Sequence, residues 1–466
     1  MEIFNIKKSD VCKNYSFVPE YYYFNRILKD KYVLHGGNYI SLGDVASISD
    51  GEHSAIPRRD DAGVRYLYGR NIREGVIDFD PISDSSYITP EDYAKYPRCH
   101  IKENDVLIAI YGTVGKSAVY KKAYVNTAGI PRHIANITLN GNAPFSPEFL
   151  TAYFRSKYGK AQIKSFLTGN IQQLFSLKSL RQFQVPLLPN GIRDQITEIE
   201  KQALSYLIIS QKLIEKAKHI FLSGLGFDTN SITRDLCFNV KADKLLKSNV
   251  WSVSLYDSFY NKVEKTLKEH LPCLELGELV YLTHGIEVGS AAYVSYENRS
   301  LDDIPFIRTS DIVNHEADLY PDNYVSPVIG NEFLGLTKPG DILFTKDGKI
   351  ASVGMVENVD RIIPSSGIEI LRLKPSAVES GFTPEYLFIS LACPEVGELG
   401  AKKRTVYAST IPHLRPENLS KIVIPQMPQP YIEEITNLVA KAFSLKSMRK
   451  NILKQSENII DDYFFN

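Results

Sequence analysis

The stretch Ile192-Arg193-Asp194-Gln195-Ile196-Thr197-Glu198-Ile199-Glu200-Lys201-Gln202-Ala203-Leu204-Ser205-Tyr206 opens a run that reaches Leu222, and its periodicity decides the architecture. Ile196, Ile199, Ala203, Tyr206, Leu213, Ala217 and Ile220 fall alternately three and four apart, with only Ser210 interrupting the apolar seam. No Pro or Gly lies between Arg193 and Phe221, so the spacing predicts one amphipathic helix of roughly 45 Å at 1.5 Å per residue. A single helix cannot bury such a seam alone. A partner stripe, Ile435, Leu438, Ala442, Leu445, Ile452 and Ile459, stands near the end of the chain, with Arg449 where the first stripe has Ser210. The stripes match with an offset of 239 residues, as from Ile196 to Ile435, and each follows an apolar-Pro turn: Val185-Pro186-Leu187-Leu188-Pro189-Asn190-Gly191 and Ile424-Pro425-Gln426-Met427-Pro428.

The duplication extends well beyond the helices. Phe4-Asn5-Ile6-Lys7 returns as Phe238-Asn239-Val240-Lys241, and Leu42-Gly43-Asp44 as Leu276-Gly277-Glu278. Lys102-Glu103-Asn104-Asp105-Val106-Leu107 answers to Lys338-Pro339-Gly340-Asp341-Ile342-Leu343, and Phe145-Ser146-Pro147-Glu148-Phe149-Leu150 to Phe382-Thr383-Pro384-Glu385-Tyr386-Leu387. The pairs keep their order while the offset drifts only from 234 to 239, which small loop insertions explain. The chain is therefore read as two tandem copies, each an irregular domain closed by one long helix.

With 466 residues and 44% apolar content, the chain is large enough for two cores. Lys plus Arg and Asp plus Glu number 54 each, so no global basic field advertises a nucleic-acid coat, although local basic patches remain open. The cysteines at 12, 99, 237, 273 and 393 show no pair spacing and are expected to be reduced thiols of a cytoplasmic protein. No apolar run approaches membrane-span length.

Strand-like runs at Tyr66-Leu67-Tyr68, Asp105 to Ile110 and Ile134 to Leu139 are followed by a helix from Pro147 to Tyr158, capped by Ser146, and a short helix from Ser176 to Gln182. The second copy repeats that order with Phe306 to Arg308, Asp341 to Thr345, Ile368 to Leu373 and a helix from Pro384. A short strand and helix are expected between Phe4 and Tyr32.

Gly112-Thr113-Val114-Gly115-Lys116-Ser117 imitates a phosphate loop, but the position that needs the first glycine is Ile110, and the second copy has Asp347-Gly348-Lys349-Ile350-Ala351-Ser352 instead. A hairpin turned by Gly112 and by Gly348 is the plainer reading. His133, His284 and His413 stand alone and are read as structural histidines rather than metal ligands. No catalytic spacing occurs, which favours a binding role. What remains are loops dense in side chains that read bases and hold phosphates. In the first copy these are Arg58, Arg59, Arg70, Asn71, Lys116, Arg132, His133, Asn170, Gln172 and Gln173. The second copy offers Arg308, Ser310, Lys346, Lys349, Lys402, Lys403, Arg404, Tyr407, Ser409 and Thr410.

In this doubled layout the chain resembles a specificity subunit of a type I restriction-modification system. The resemblance rests on the two hydrophobic-Pro segments and their helices, the Leu-Gly-Asp/Glu openings, and the Gly340-Asp341-Ile342-Leu343 strand with its looser counterpart from Asn104. It also includes Gly169 to Leu174 and Ala408 to Leu414 before the last helix of each domain. It implies an α+β fold: two similar target-recognition domains (residues 1–188 and 226–427) joined by long antiparallel coiled-coil helices (189–225 and 428–466), a pseudo-twofold internal repeat. It implies no catalysis in this chain, and double-stranded DNA, two modification subunits and restriction subunits as partners. S-adenosylmethionine, ATP and Mg would then belong to those partners. The paired helices would act as a spacer, so a seam lengthened by a heptad would lengthen the unread gap between two words. A recognition subunit of a related defence system and a duplicated scaffold without nucleic acid are the alternatives.

Overall fold

The computed structural model describes residues 6–8, 19–34, 36–59, 62–78, 87–112, 114–123, 127–167, 173–247, 252–300, 302–408 and 411–465. It contains two compact units, Met1–Ser205 with Met448–Asn466, and Tyr206–Ser447.

In the first unit, β1 (Ala46–Asp50), β2 (Val106–Ala109), β3 (Ser117–Val119) and β4 (Ile134–Leu139) form an antiparallel sheet in the order β1-β4-β2-β3. In the second, β5 (Val280–His284), β6 (Ile342–Thr345), β7 (Val353–Met355) and β8 (Ile368–Leu373) take the same order, β5-β8-β6-β7. Helices cover one face of each sheet and a smaller sheet covers the other, so the central strands β2 and β6 are buried throughout and read as near-continuous hydrophobic runs. Val106, Ile108 and Ile137 pack with Phe149 and Phe154, while Leu107, Ala109 and Ile134 enter a separate core. Ile342, Phe344 and Leu371 pack likewise with Phe388, and Leu343, Ile368 and Ile370 face away from them.

Local chemistry repeats as well. The turn into β2 passes through Asn104 at φ +71° and the turn into β6 through Gly340 at φ +86°, a left-handed conformation that Gly and Asn tolerate best. The next residue's carboxylate closes each turn: Lys102 N donates to Asp105 Oδ2 at 2.7 Å, and Lys338 N to Asp341 Oδ2 at 2.8 Å. Ser146 caps Pro147–Arg155 and Thr383 caps Pro384–Ala392. Each cap also meets a threonine of a long helix, Ser146 Oγ with Thr197 Oγ1 at 2.9 Å and Thr383 Oγ1 with Thr436 Oγ1 at 2.6 Å. The first of these helices stops at Arg155, short of the expected Tyr158, because Ser156 turns the chain (ψ 156°) and caps the next helix, Lys157–Phe166. Between Phe4 and Tyr32 the described residues from Pro19 onward are helical, and the expected strand falls outside the described residues.

The two long helices, α1 (Asn190–Leu225) and α2 (Gln429–Phe465), each give one part to each unit. Their pairing is antiparallel within each unit. In the first, Ile196 shares a core with Ile460 and Phe464; in the second, Phe221 shares one with Ile432 and Ile435. The seam differs from the expected stripe at alternate positions. Ile196, Ala203, Ser210 and Ala217 are buried as expected, but their intervening partners are Glu200, Leu207, Ile214 and Phe221, with Ile199, Tyr206, Leu213 and Ile220 half-buried beside them. The same shift by one residue recurs on α2, where Val439, Lys446, Leu453 and Ile460 replace Leu438, Leu445, Ile452 and Ile459. Glu200 and Lys446 account for one step on each helix, since charged residues occupy seam positions that periodicity reserves for apolar ones; at the other steps both neighbours are apolar and spacing alone does not choose between them.

Those charges find partners inside each unit. In the first, Arg155 donates to Glu200 and, at 3.0 Å, to Ser456 Oγ. In the second, Lys446 Nζ donates to Asn314 O at 2.9 Å and lies 3.8 Å from Glu316.

Candidate nucleic-acid interface

In the first unit four loops converge at one end of the main sheet, where β1 and β2 end and β3 and β4 begin. The main chain fixes them. Glu52 N donates to Ile130 O, Arg132 N to Glu52 O, Ile110 N to His133 O and Phe175 N to Ile110 O, while Tyr111 bridges Leu174. A Cβ on Gly51 would lie 2.1 Å from Ile130 O, so only glycine permits that approach.

On this frame the Arg58 guanidinium lies 3.7 Å from the Tyr68 ring centroid and 4.5 Å from that of Tyr66, and its Nη1 donates to Tyr66 O at 2.9 Å. Arg70 flanks Tyr68 at 4.6 Å. These cation–π contacts hold planar cations on an aromatic shelf. Burial pulls the Arg58 pKa below its ordinary value, against the pull of Tyr68 and Tyr66. Tyr111 meets His133 edge-on at 5.5 Å. Burial, then Arg132 and Arg58, lowers the His133 pKa, so its imidazole stays neutral at pH 7 and offers one donor and one acceptor. Arg59, Arg70, Arg132, His133 and Gln173 are exposed. At the end of β1, Arg98 and His53 pair with Asp50; burial pushes that carboxyl up, and the two hydrogen bonds overcome it and hold it below the usual range.

Two first-copy candidates are structural. Asn71 is buried and closes its own turn, Oδ1 accepting from Tyr68 N at 2.7 Å and Nδ2 donating to Asp78 O at 3.2 Å. Lys116, 3% exposed, enters β3 rather than a helix, so the Gly-Lys-Ser run is a hairpin turned through Gly112 at φ +75°. Asn170 and Gln172 lie outside the described residues.

The second unit repeats the frame residue for residue. Ile286 N donates to Pro364 O, Lys346 N to Gly367 O and Leu414 N to Lys346 O, while Asp347 bridges His413. The turn at Thr309–Asp311 matches the one at Gly69–Asn71, closed here by Asp311 Oδ2 accepting from Arg308 N at 3.0 Å. The side chains differ. His284 Nδ1 pairs with Glu369 Oε2 at 2.7 Å and His413 Nδ1 with Asp347 Oδ1 at 2.7 Å, both imidazoles being more than half exposed. Burial raises the Glu369 pKa, and the His284 hydrogen bond opposes it. Lys346 lies 3.6 Å from Asp347, Lys349 Nζ reaches Ile312 O at 3.5 Å, and Arg308, Ser310 and Lys402 are exposed. Tyr407, 68% exposed, and Ile411 stand on the hairpin Val406–Ala408 with Ile411–His413. Ser409 and Thr410 lie outside the described residues. Lys403 and Arg404, expected at the surface, are buried instead: both lie 2.5 Å from Glu264, because a basic helix end needs a carboxylate once it packs inward.

Tyr68, Tyr111, His53 and Arg98 in the first unit, and His284, Asp347, Glu369 and His413 in the second, were not among the expected interface residues. Superposing the two copies gives the missing signal. The same main-chain bonds flank position 111 and position 347, while the residue itself changes from Tyr to Asp. Among the described residues no His/Cys/Asp/Glu group suits a metal, and no helix is long and apolar enough to cross a membrane. The four described cysteines, Cys99, Cys237, Cys273 and Cys393, are free.

No family model and no curated protein matches the chain. Solved structures similar to it along nearly its whole length include specificity subunits of type I restriction-modification systems. One, the S subunit from M. genitalium, is 12% identical, covers 92% of this chain and 94% of its own, and gives a TM-score of 0.33. Another, the HsdS subunit from Thermoanaerobacter tengcongensis, is 15% identical over 92% of this chain and 96% of its own, with a TM-score of 0.27. The type IIG restriction endonuclease BpuSI is 10% identical, with 43% of this chain and 30% of that one covered at a TM-score of 0.28.

Proposed function

We propose that this chain is the DNA-recognition subunit of a type I restriction-modification complex, each copy reading one word of a bipartite target in double-stranded DNA. The observation that carries this is one main-chain frame used twice with different side chains at the loops: Arg58, Arg70, Arg132 and Tyr111 in one copy, Arg308, Asp347, His284 and His413 in the other. A scaffold duplicated for its shape has no need to vary those positions and keep the frame. Readers of two words do. Arginine reads guanine bidentately, carboxylates take cytosine amines, and lysines and serines hold phosphates. The chain itself performs no chemistry in this reading. Two modification subunits with S-adenosylmethionine would methylate adenine within the target, and restriction subunits with ATP and Mg would cleave.

The test is selection from a randomised duplex library with the full chain, alone and with modification subunits, followed by gel-shift on the enriched sequence. Two unlike words separated by unread bases are expected. Binding of no duplex would leave the scaffold reading, and equal binding of every duplex would remove the two-word reading.

A further inference from the structure

The two interfaces share a carboxylate–histidine pair at the sheet end, Asp50 with His53 and Glu369 with His284, and differ in what stands beside it. The first copy offers guanidinium groups over aromatic rings, whereas the second places two carboxylates at the matching sheet end, each holding the Nδ1 of an exposed histidine. Asp347 stands where the first copy has Tyr111. Its backbone is pinned on both sides, bridged to His413 and followed by Gly348 N donating to Pro412 O at 3.1 Å. One oxygen accepts from His413 and the other faces Lys346, so the carboxylate is oriented while still about one-third exposed. A Cβ on Gly367 would lie 2.9 Å from the Thr309 methyl and 3.7 Å from Asp347 Cβ, which places Asp347 beside the turn that carries Arg308 and Ser310.

A second observation points to a ligand that donates hydrogen bonds. Glu369 is 0% exposed, lies close enough to Lys346 and Asp347 to feel their charges, and its Oε1 has no hydrogen-bond partner among the described residues. The first copy has Ala135 at that place on the sheet, so the acceptor belongs to this interface and not to the shared frame. A buried acceptor left unmet is costly, and a hydrogen-bond donor held above it on Asp347 offsets part of that cost through its positive charge density, without touching Glu369.

Resting on the DNA-reading function above, we propose that the second copy reads a cytosine·guanine pair, Asp347 accepting from cytosine N4 and Lys346 donating to the guanine edge. Carboxylates are the side chains suited to that amine, and a neighbouring ammonium suits guanine O6 and N7. His413 and the His284–Glu369 pair are positioning residues that orient and seat the acceptor.

Randomised-duplex selection with the full chain and its modification subunits tests this through Asp347→Asn, because an amide takes adenine N6 and N7 where a carboxylate takes cytosine. The variant is expected to change one position of one word from cytosine to adenine by about 10-fold in preference, with the other word untouched. Asp347→Ala is expected to relax that position to all four bases, and Glu369→Gln to weaken its preference without changing the favoured base. Words identical to wild type in Asp347→Asn and Asp347→Ala, or a change confined to the other word, overturn the proposal and leave the DNA-reading function standing. A wild-type chain that enriches no bipartite word overturns both.

Discussion

Removing Arg155 should destabilise the first unit far more than removing its whole ion pair. Its guanidinium is fully buried against Glu200, which is 6% exposed, and Ser456. Arg155→Met leaves a carboxylate inside the seam without its counter-charge, a change worth about 3–5 kcal/mol. Arg155→Met with Glu200→Met replaces both charges by apolar chains of similar volume, which is typically neutral or stabilising by about 1–4 kcal/mol. Ser456 keeps its bond to Leu453 O at 2.9 Å in either variant. The second unit already contains the apolar solution, with Ala392, Val439 and Ala217 buried at the positions of Arg155, Glu200 and Ser456. With a urea slope of roughly 2–3 kcal/mol/M, the single variant should lower the midpoint of the first unit by about 1–2 M and the double variant should restore it. Hydrogen exchange resolves which unit responds: Lys157–Phe166 should lose protection while β5 to β8 keep theirs. A double variant as unstable as the single one would refute the reasoning, as would a single variant costing under about 1 kcal/mol.

Two further outcomes follow from the same geometry. Burial and then Glu457 raise the pKa of Asp461 from an ordinary 3.8 to about 7, opposed by Lys157 and by backbone hydrogen bonds from Lys157 and Tyr158. The folded state therefore holds a proton that the unfolded state has lost between those two values, so stability falls as pH rises through that window and levels off above it. Urea midpoints taken near pH 5 and near pH 8 should differ less in Asp461→Asn, which retains an acceptor for Lys157 N, than in wild type. Arg58→Lys keeps the charge but loses the planar stack on Tyr68, so affinity for the enriched duplex should fall by about 10-fold with the salt slope unchanged in gel-shift titrations.

The doubled architecture was legible because it lives in residues whose chemistry is local. Asn104 and Gly340 sit in the same left-handed turn, Asp105 and Asp341 close it, and Ser146 and Thr383 cap the same helix. Strand limits at Ile134–Leu139 and Ile368–Leu373 agree with the sequence reading because strand-favouring apolar residues dominate each run, interrupted only by Asn136 and Thr138 in the first and by Glu369 and Arg372 in the second. The seam was legible only at every other step. Glu200 and Lys446 are buried by partners far away in sequence, Arg155 and Asn314, which periodicity does not encode. The exposure of the candidate residues was half legible. Arg70, Arg132 and Arg308 reach outward and Arg58 lies half-buried on Tyr68, whereas Asn71, Lys403 and Arg404 are turned inward by turn closure or by Glu264. His284 and His413, read as structural histidines, are exposed, because their carboxylate partners orient them without covering them.

The central claim is that each copy reads its own word, and methylome sequencing of a host carrying this chain with modification subunits tests it most directly. The wild-type chain should place methylated adenines within one target made of two unlike words. Replacing Arg70 and Arg132, both exposed on the first copy, by alanine should blur one of those words and leave the other as sharp as before. Loss of definition in both words together, or a methylated target of a single uninterrupted word, would contradict it.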